Sequence, residues 1–152
     1  MEQQFTQQYH IHNSVDGTPK LDEAISIVNT RKFIIYRIVG DTTNTAVADA
    51  VGGYFVMPFS GYNERLGATV DTAGTTNSTT IDVNKNGTTI MTTKISIATA
   101  TTSSRVITTT QPVIIPGQNS FLIGDRYSFD VDAISSTPAK GLSIFMNVVK
   151  TS

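Results

Sequence analysis

The chain has 152 residues, of which 39% are hydrophobic and 15% charged, and it contains no cysteine. This length fits one domain with a sizeable core, and disulfides and thiolate metal sites are excluded. Eleven basic and twelve acidic residues give a net charge of −1, and the basic residues are scattered singly, which argues against nucleic acid as a partner. No apolar run approaches the ~20 residues that span a bilayer and no secretory signal is recognisable, so we expect no membrane partner.

Residues 1–32 are predicted to form an extended N-terminal arm. The stretch Met1 to Val15 is polar and glutamine-rich, and its isolated apolar residues are Phe5, Tyr9 and Ile11. No core-facing period is sustained there, so these three side chains fit pockets on a neighbouring chain better than a core of their own.

The end of this arm contains the one predicted helix. In TPKLDEAISIVN, apolar residues recur at i, i+3, i+4 and i+7 from Leu21, with Thr18 as the N-cap and Pro19 as the first helical residue. The spacing favours a short helix, although Ile25 to Val28 also fits a strand.

From Phe33 onward the sequence predicts only β-strands. Roughly a sixth of all residues are threonine, which suits exposed strand faces. About eight short strands separated by turn residues predict an all-β domain over residues 33–152, an antiparallel β-sandwich of the jelly-roll-like type. The predicted strands are Phe33 to Val39, which looks buried, Gly53 to Phe59, Leu66 to Val70, the pair around Asn86-Gly87, a ribbon from Lys94 to Thr110, Tyr127 to Ala133, and Leu142 to Val148.

The last two of these strands show the clearest alternation. In YSFDVDA, the side chains of Tyr127, Phe129, Val131 and Ala133 are expected to share one face, and the intervening polar residues the other. In LSIFMNV the same period places four apolar residues on one face, namely Leu142, Ile144, Met146 and Val148.

The stretch IDVNKNGTTI raises the question of a calcium site. From Asp82 it reads D-x-N-x-N-G, as an EF-hand loop begins. The twelfth position must carry a bidentate carboxylate, but it is Thr93, and the β-branched flanks favour strands rather than helices. Because Asn86-Gly87 is a strong hairpin signal, we predict a β-hairpin and keep calcium as the alternative.

Two further groups of side chains are candidate cation ligands. His10 and His12 lie on the same face of an extended segment and could meet a metal on a symmetry axis. Asp130 and Asp132 share a strand face near Asp125 and could share a cation. Solvated or interface side chains explain both groups as well, so we predict no metal site and no cofactor.

Catalytic motifs are missing from the sequence. Neither histidine lies in a nucleophile–base context, and no nucleophile elbow or phosphate-binding glycine loop is present. We therefore predict a protein that is not an enzyme.

Three stretches resemble a known class of proteins. They are GGYFVMPFSGYNERLGATVDTAGTT, TTIDVNKNGTTI and GDRYSFDVDAISSTPAKGLSIFMNVV, which together span roughly Gly52 to Val149. In this order they resemble the β-sandwich domain of tailed-bacteriophage virion proteins. The residues that carry the resemblance are structural: hairpin residues Asn84, Asn86 and Gly87, turn residues Gly124 and Asp125, and the alternating core positions.

The resemblance implies a virion component that forms a homotrimer. We expect a capsid decoration, or cement, protein on the head surface, assembled in the host cytoplasm, whose partner is the major capsid protein and whose arm carries the capsid contacts Phe5, Tyr9 and Ile11. The alternative is the receptor-binding head of a tail or head fibre, with a host glycan as partner. The absence of tryptophan and of a repetitive shaft argues against it. A tail-tube or neck component is a third option.

Overall fold

β-Branched and aromatic residues form strands along most of the chain. The computed structural model describes residues 30–106 and 110–151, and this part of the protein is all-β, with antiparallel sheets as predicted. No helix among these residues is long and apolar enough to cross a membrane. The strands are β1 Arg31–Arg37, β2 Phe55–Val56, β3 Gly61–Thr69, β4 Thr79–Lys85, β5 Thr88–Thr89, β6 Met91–Thr93, β7 Ile95–Ile97, β8 Val113–Ile114, β9 Ser120–Phe121, β10 Arg126–Ala133 and β11 Ser143–Lys150.

The strands form two larger sheets in a sandwich-like arrangement. The first has the order β1-β11-β3-β9, and the second has the order β2-β10-β4-β5, with β7 also paired to β4. A small third sheet joins β6 to β8. Strands β10 and β11 are consecutive in sequence but lie in different sheets, so the chain passes from one larger sheet to the other between them.

One hydrophobic core lies between the two larger sheets. Ile144 and Met146 of β11 and Tyr127 and Phe129 of β10 are fully buried in it, which confirms the predicted alternation at these positions. The ring of Tyr36 on β1 lies 5.9 Å from that of Phe129, so the first strand packs on the opposite sheet through one of its faces. Such a core accounts for the fold without disulfides.

Two predictions about single strands were wrong. The run Phe33 to Val39 was expected to be buried, but Phe33 and Ile35 are 61% and 63% exposed, because only one face of β1 meets the core. Ala133 was placed on the core face of its strand, but a bulge after Val131 shifts the register and leaves it exposed.

The strand count and lengths also differ from the prediction. The described residues contain eleven strands rather than about eight, and several are only two residues long. Among the described residues of the threonine-rich ribbon predicted from Lys94 to Thr110, Ile95–Ile97 is the one strand, and residues 98–106 form turns and loops apart from an isolated bridge at Ser103. The stretch Gly53 to Phe59 reduces to β2, since Pro58 cannot donate a ladder hydrogen bond. The predicted helix lies outside the described residues.

Candidate functional site

The outer face of the four-stranded sheet carries an apolar surface. Phe33 and Ile35 project from β1, and register places them beside Asn147 and Phe145 of β11. The rings of Phe33 and Phe145 are 5.9 Å apart. Phe145 in turn lies opposite Gly67 of β3, where a Cβ would come within 2.3 Å of the ring. Gly67 therefore allows the Phe145 ring to lie flat over the next strand, and the three apolar side chains form one patch, called here the outer patch.

Ion pairs border the outer patch at both ends. Arg31, on the same face of β1 as Phe33, lies 3.2 Å from Glu64. Arg37, at the other end of the strand, lies 2.7 Å from Asp71 and holds the pKa of that carboxyl below its ordinary value, through a hydrogen bond that outweighs desolvation. An apolar centre with a polar, charged rim is the usual anatomy of a protein–protein interface.

The strand that carries the outer patch is also the edge of its sheet. Within the described residues β1 pairs with β11 alone, over seven residues from Arg31 to Arg37. Soluble proteins normally protect such an edge with short strands, bulges, prolines or a covering segment. A regular edge strand with two exposed apolar side chains therefore indicates a contact with another chain or segment.

A second apolar feature lies at one end of the sandwich, in the turn between β9 and β10. Leu122 and Ile123 are 67% and 68% exposed. Their backbone is nevertheless fixed, because the Leu122 N–H donates to Asp125 Oδ2 at 2.8 Å and the Ile123 N–H donates to Ser60 Oγ at 3.0 Å. The turn thus presents two apolar side chains on a rigid support.

The calcium-like motif is a β-hairpin, as predicted. Asn86 and Gly87 have φ angles of 52° and 83°, which the turn between β4 and β5 requires. The Asn86 side chain joins this hairpin to the turn between β9 and β10. Its Nδ2 donates to Asp125 Oδ1 at 2.8 Å, and its Oδ1 accepts the Arg126 N–H at 2.9 Å. Desolvation raises the pKa of Asp125, but the hydrogen bonds from the Leu122 N–H and Asn86 outweigh it and the pKa lies below its ordinary value. The β4–β5 hairpin and the β9–β10 turn are therefore linked by side-chain hydrogen bonds into one structural unit.

Asp82 is buried and acts as an acceptor within this hairpin. Its Oδ1 accepts hydrogen bonds from the Val83 N–H at 2.8 Å and from Thr89 Oγ1 at 2.7 Å. Its Oδ2 lies 3.1 Å from Lys94 Nζ, and the same ammonium group lies 2.6 Å from Asp132 Oδ2. The hydrogen bond to Asp132, and then the one to Asp82, raise the pKa of Lys94. Two carboxylates share a cation here, and the cation is a lysine.

Asp130 and Asp132, the alternative cation pair of the sequence analysis, have separate partners. Asp130 accepts the Ala50 N–H at 2.8 Å and Asn84 Nδ2 at 2.6 Å, whereas Asp132 binds Lys94. No group of three or more histidine, cysteine, aspartate or glutamate side chains in residues 30–106 and 110–151 could hold a metal ion. His10 and His12, like Phe5, Tyr9 and Ile11, lie outside the described residues.

We expect Asp82→Ala to lower stability without any change in calcium response. The substitution removes an acceptor from Thr89 and leaves Lys94 with one partner, so the loss should be about 1–3 kcal/mol. Melting temperatures with and without millimolar calcium test this, and Asp82→Asn, which keeps the Oδ1 acceptor, is the control. A calcium-dependent rise in the parent that Asp82→Ala abolishes would contradict the hairpin interpretation.

Sequence reasoning identified the β1 apolar residues but not their geometry. Alternation along β1 could have separated Phe33 and Ile35 from Ile34 and Tyr36. The charged rim depends on register between strands far apart in sequence, for which the sequence carries no local signal.

No family model, curated protein or solved structure matches the chain.

Proposed function

We propose that this chain is a tailed-phage virion structural protein, a capsid decoration protein that forms a homotrimer on the head surface and stabilises neighbouring capsid subunits. The outer patch carries this proposal. A decoration protein must be both soluble before assembly and permanently packed afterwards, and a modest apolar surface with a charged rim meets both needs.

The low charge of the chain supports the same role. Only 15% of the residues are charged and the net charge is −1, whereas a protein that stays dispersed alone usually carries more surface charge. Polar, weakly charged strand faces suit a molecule whose surface is largely covered in an assembly. The three-fold symmetry and the place in the virion come from the sequence resemblance.

The proposed division of labour assigns the trimer to the sandwich and head attachment to the arm. The outer patch lies on β1, at the edge of its sheet, where a second copy can approach without disturbing the core. The arm sequence Met1 to Val15 is polar, with Phe5, Tyr9 and Ile11 as its apolar anchors, and a segment of this kind can cover much capsid surface with few residues.

Deleting residues 1–15 is expected to leave a folded trimer in solution that no longer binds decoration-free heads. Light scattering after size exclusion gives the oligomeric state, and co-sedimentation with heads gives the binding. A triple substitution of Phe5, Tyr9 and Ile11 by serine is the matched variant, because it keeps the arm length and removes only the anchors. It should weaken binding at least about tenfold, the loss expected for interface anchors.

Two results would contradict the proposal. If the truncated protein saturates the heads with unchanged affinity, attachment lies on the sandwich. If the intact protein binds host cells but not heads, it is a receptor-binding fibre head. In both outcomes the oligomeric state is measured separately, so failure of head binding and failure of trimer formation can be told apart.

A further inference from the structure

An open pocket of about 410 Å³ lies beside β3, on the side away from β11. At one end of the strand, β9 pairs only with Gly61 and Tyr62. At the other end, the backbones of Ser104 and Ala68 are joined by a hydrogen bond of 3.0 Å. Residues 64–66 lie between these two attachments and line the pocket together with residues 112–117. Its volume is within the range of small-ligand sites.

Two arginines line this pocket without a partner. Arg65 and Arg105 have no carboxylate, hydroxyl or carbonyl partner for their guanidinium groups within residues 30–106 and 110–151. Each of the other three arginines has a polar or aromatic partner: Arg31 pairs with Glu64, Arg37 pairs with Asp71, and Arg126 lies 3.9 Å from the ring centroid of Tyr54. Among the arginines of the described residues, Arg65 and Arg105 are thus the two without a polar or aromatic partner, and both line the pocket.

The two unpartnered cations are close enough to repel each other. Burial lowers the pKa of Arg105, and the charge of Arg65 lowers it further. The carboxylate in the lining is Glu64, and that group is already engaged by Arg31 at 3.2 Å. The pocket therefore holds an excess of positive charge, and an anion bound between the two guanidinium groups would relieve their repulsion.

The remaining lining indicates the kind of anion. The five residues 112–116 are all apolar, so one wall is largely apolar: Pro112, Val113, Ile114, Ile115 and Pro116. An inorganic dianion would lose much hydration against such a wall and gain nothing from it. A carboxylate carries a single charge, and its planar geometry matches the guanidinium fork. The carbon skeleton attached to the carboxylate would then cover the apolar wall.

We propose that this pocket binds the carboxylate of a small organic acid, with Arg65 and Arg105 as hydrogen-bond donors and the 112–116 wall as the apolar contact. Two sources share this chemistry, namely a free aromatic or aliphatic acid and an acidic sugar. This inference goes beyond the capsid role and does not rest on it.

Calorimetric titration of the full chain with matched probes tests the proposal. Benzoate is compared with benzyl alcohol, and glucuronate with glucose, at constant ionic strength set with sodium chloride. We expect at least one carboxylate to bind and both neutral counterparts to fail. Tighter binding of benzoate would point to a free acid, and tighter binding of glucuronate to an acidic sugar.

Substitution of the arginines assigns the binding to this pocket. Arg65→Gln and Arg105→Gln should each weaken the bound carboxylate at least about tenfold, as expected for a lost charge-assisted hydrogen bond. Arg126→Gln is the control, because Arg126 lies outside this pocket, and its affinity should equal that of the parent. Neither pocket variant should be less stable than the parent, since each removes a repulsion.

The result would be clear even if a variant failed to fold. In the parent protein, arginine side-chain N–H resonances of two residues should shift on titration with the carboxylate, and this readout needs no substitution. The proposal is wrong if neither carboxylate binds, if binding is equal in the parent and both pocket variants, or if inorganic phosphate binds as tightly as both carboxylates.

Discussion

Gly61→Ala is expected to destabilise the protein by about 3 kcal/mol or more, at the upper end of overpacking effects. A Cβ at this position would come within 2.0 Å of the Val149 carbonyl oxygen and 3.1 Å of Phe121 Cζ. The first contact is with backbone, so no side-chain rotation can relieve it. Gly61 is also paired on both sides, with Lys150 of β11 and with Phe121 of β9, so its own strand cannot move away.

Gly87→Ala is the control for this substitution. Gly87 has a φ of 83°, but a Cβ there meets nothing within 4 Å. The cost is then only backbone strain, about 1 kcal/mol. Urea unfolding of the two variants and the parent gives the free energies of unfolding. A Gly61→Ala variant within about 0.5 kcal/mol of the parent would show that β3 and β11 can separate at this end, contrary to the close approach described here.

The all-β class and the hairpin could be predicted because their signals are local. Alternation in YSFDVDA and LSIFMNV depends on the strand period alone, and Asn86-Gly87 on the φ angles that these residues tolerate. The role of Asp82 could not be predicted, because Lys94 reaches it only after β7 has paired with β4. The Asn86-Gly87 turn could thus be predicted from local residue preferences, whereas the contact of Asp82 with Lys94 depends on pairing between strands.

The threonine-rich ribbon shows the opposite limit. Threonine favours strands in general, and the sequence from Lys94 to Thr110 therefore predicted one long strand. In the structure Ala100 has a φ of 57°, and its N–H donates to the Gly74 carbonyl rather than to a ladder partner. β-Propensity describes how a side chain fits a pleated surface and does not supply a partner strand. Arg105, which lines the pocket, lies in this stretch. Because the stretch was predicted to be a strand, the pocket could not be predicted either.

Replacing both Phe33 and Ile35 by aspartate is expected to convert the proposed trimer into monomers. Both side chains are more than half exposed in the single chain, so the substitution should change the stability of an isolated subunit little. In an interface the same carboxylates would be buried without partners, which costs several kcal/mol per contact. Light scattering should therefore report the mass of one 16.4 kDa chain.

The matched control for this double variant is Val47→Asp. Val47 is 58% exposed, like the two β1 residues, but it lies in a loop outside the outer patch. It introduces the same apolar-to-acidic change, and the oligomer should remain intact. If the double variant keeps the parent mass, the outer patch is not the subunit interface. If the parent itself is a monomer at micromolar concentration, the proposed trimer is absent in solution and the outer patch is not an interface between free copies of this chain.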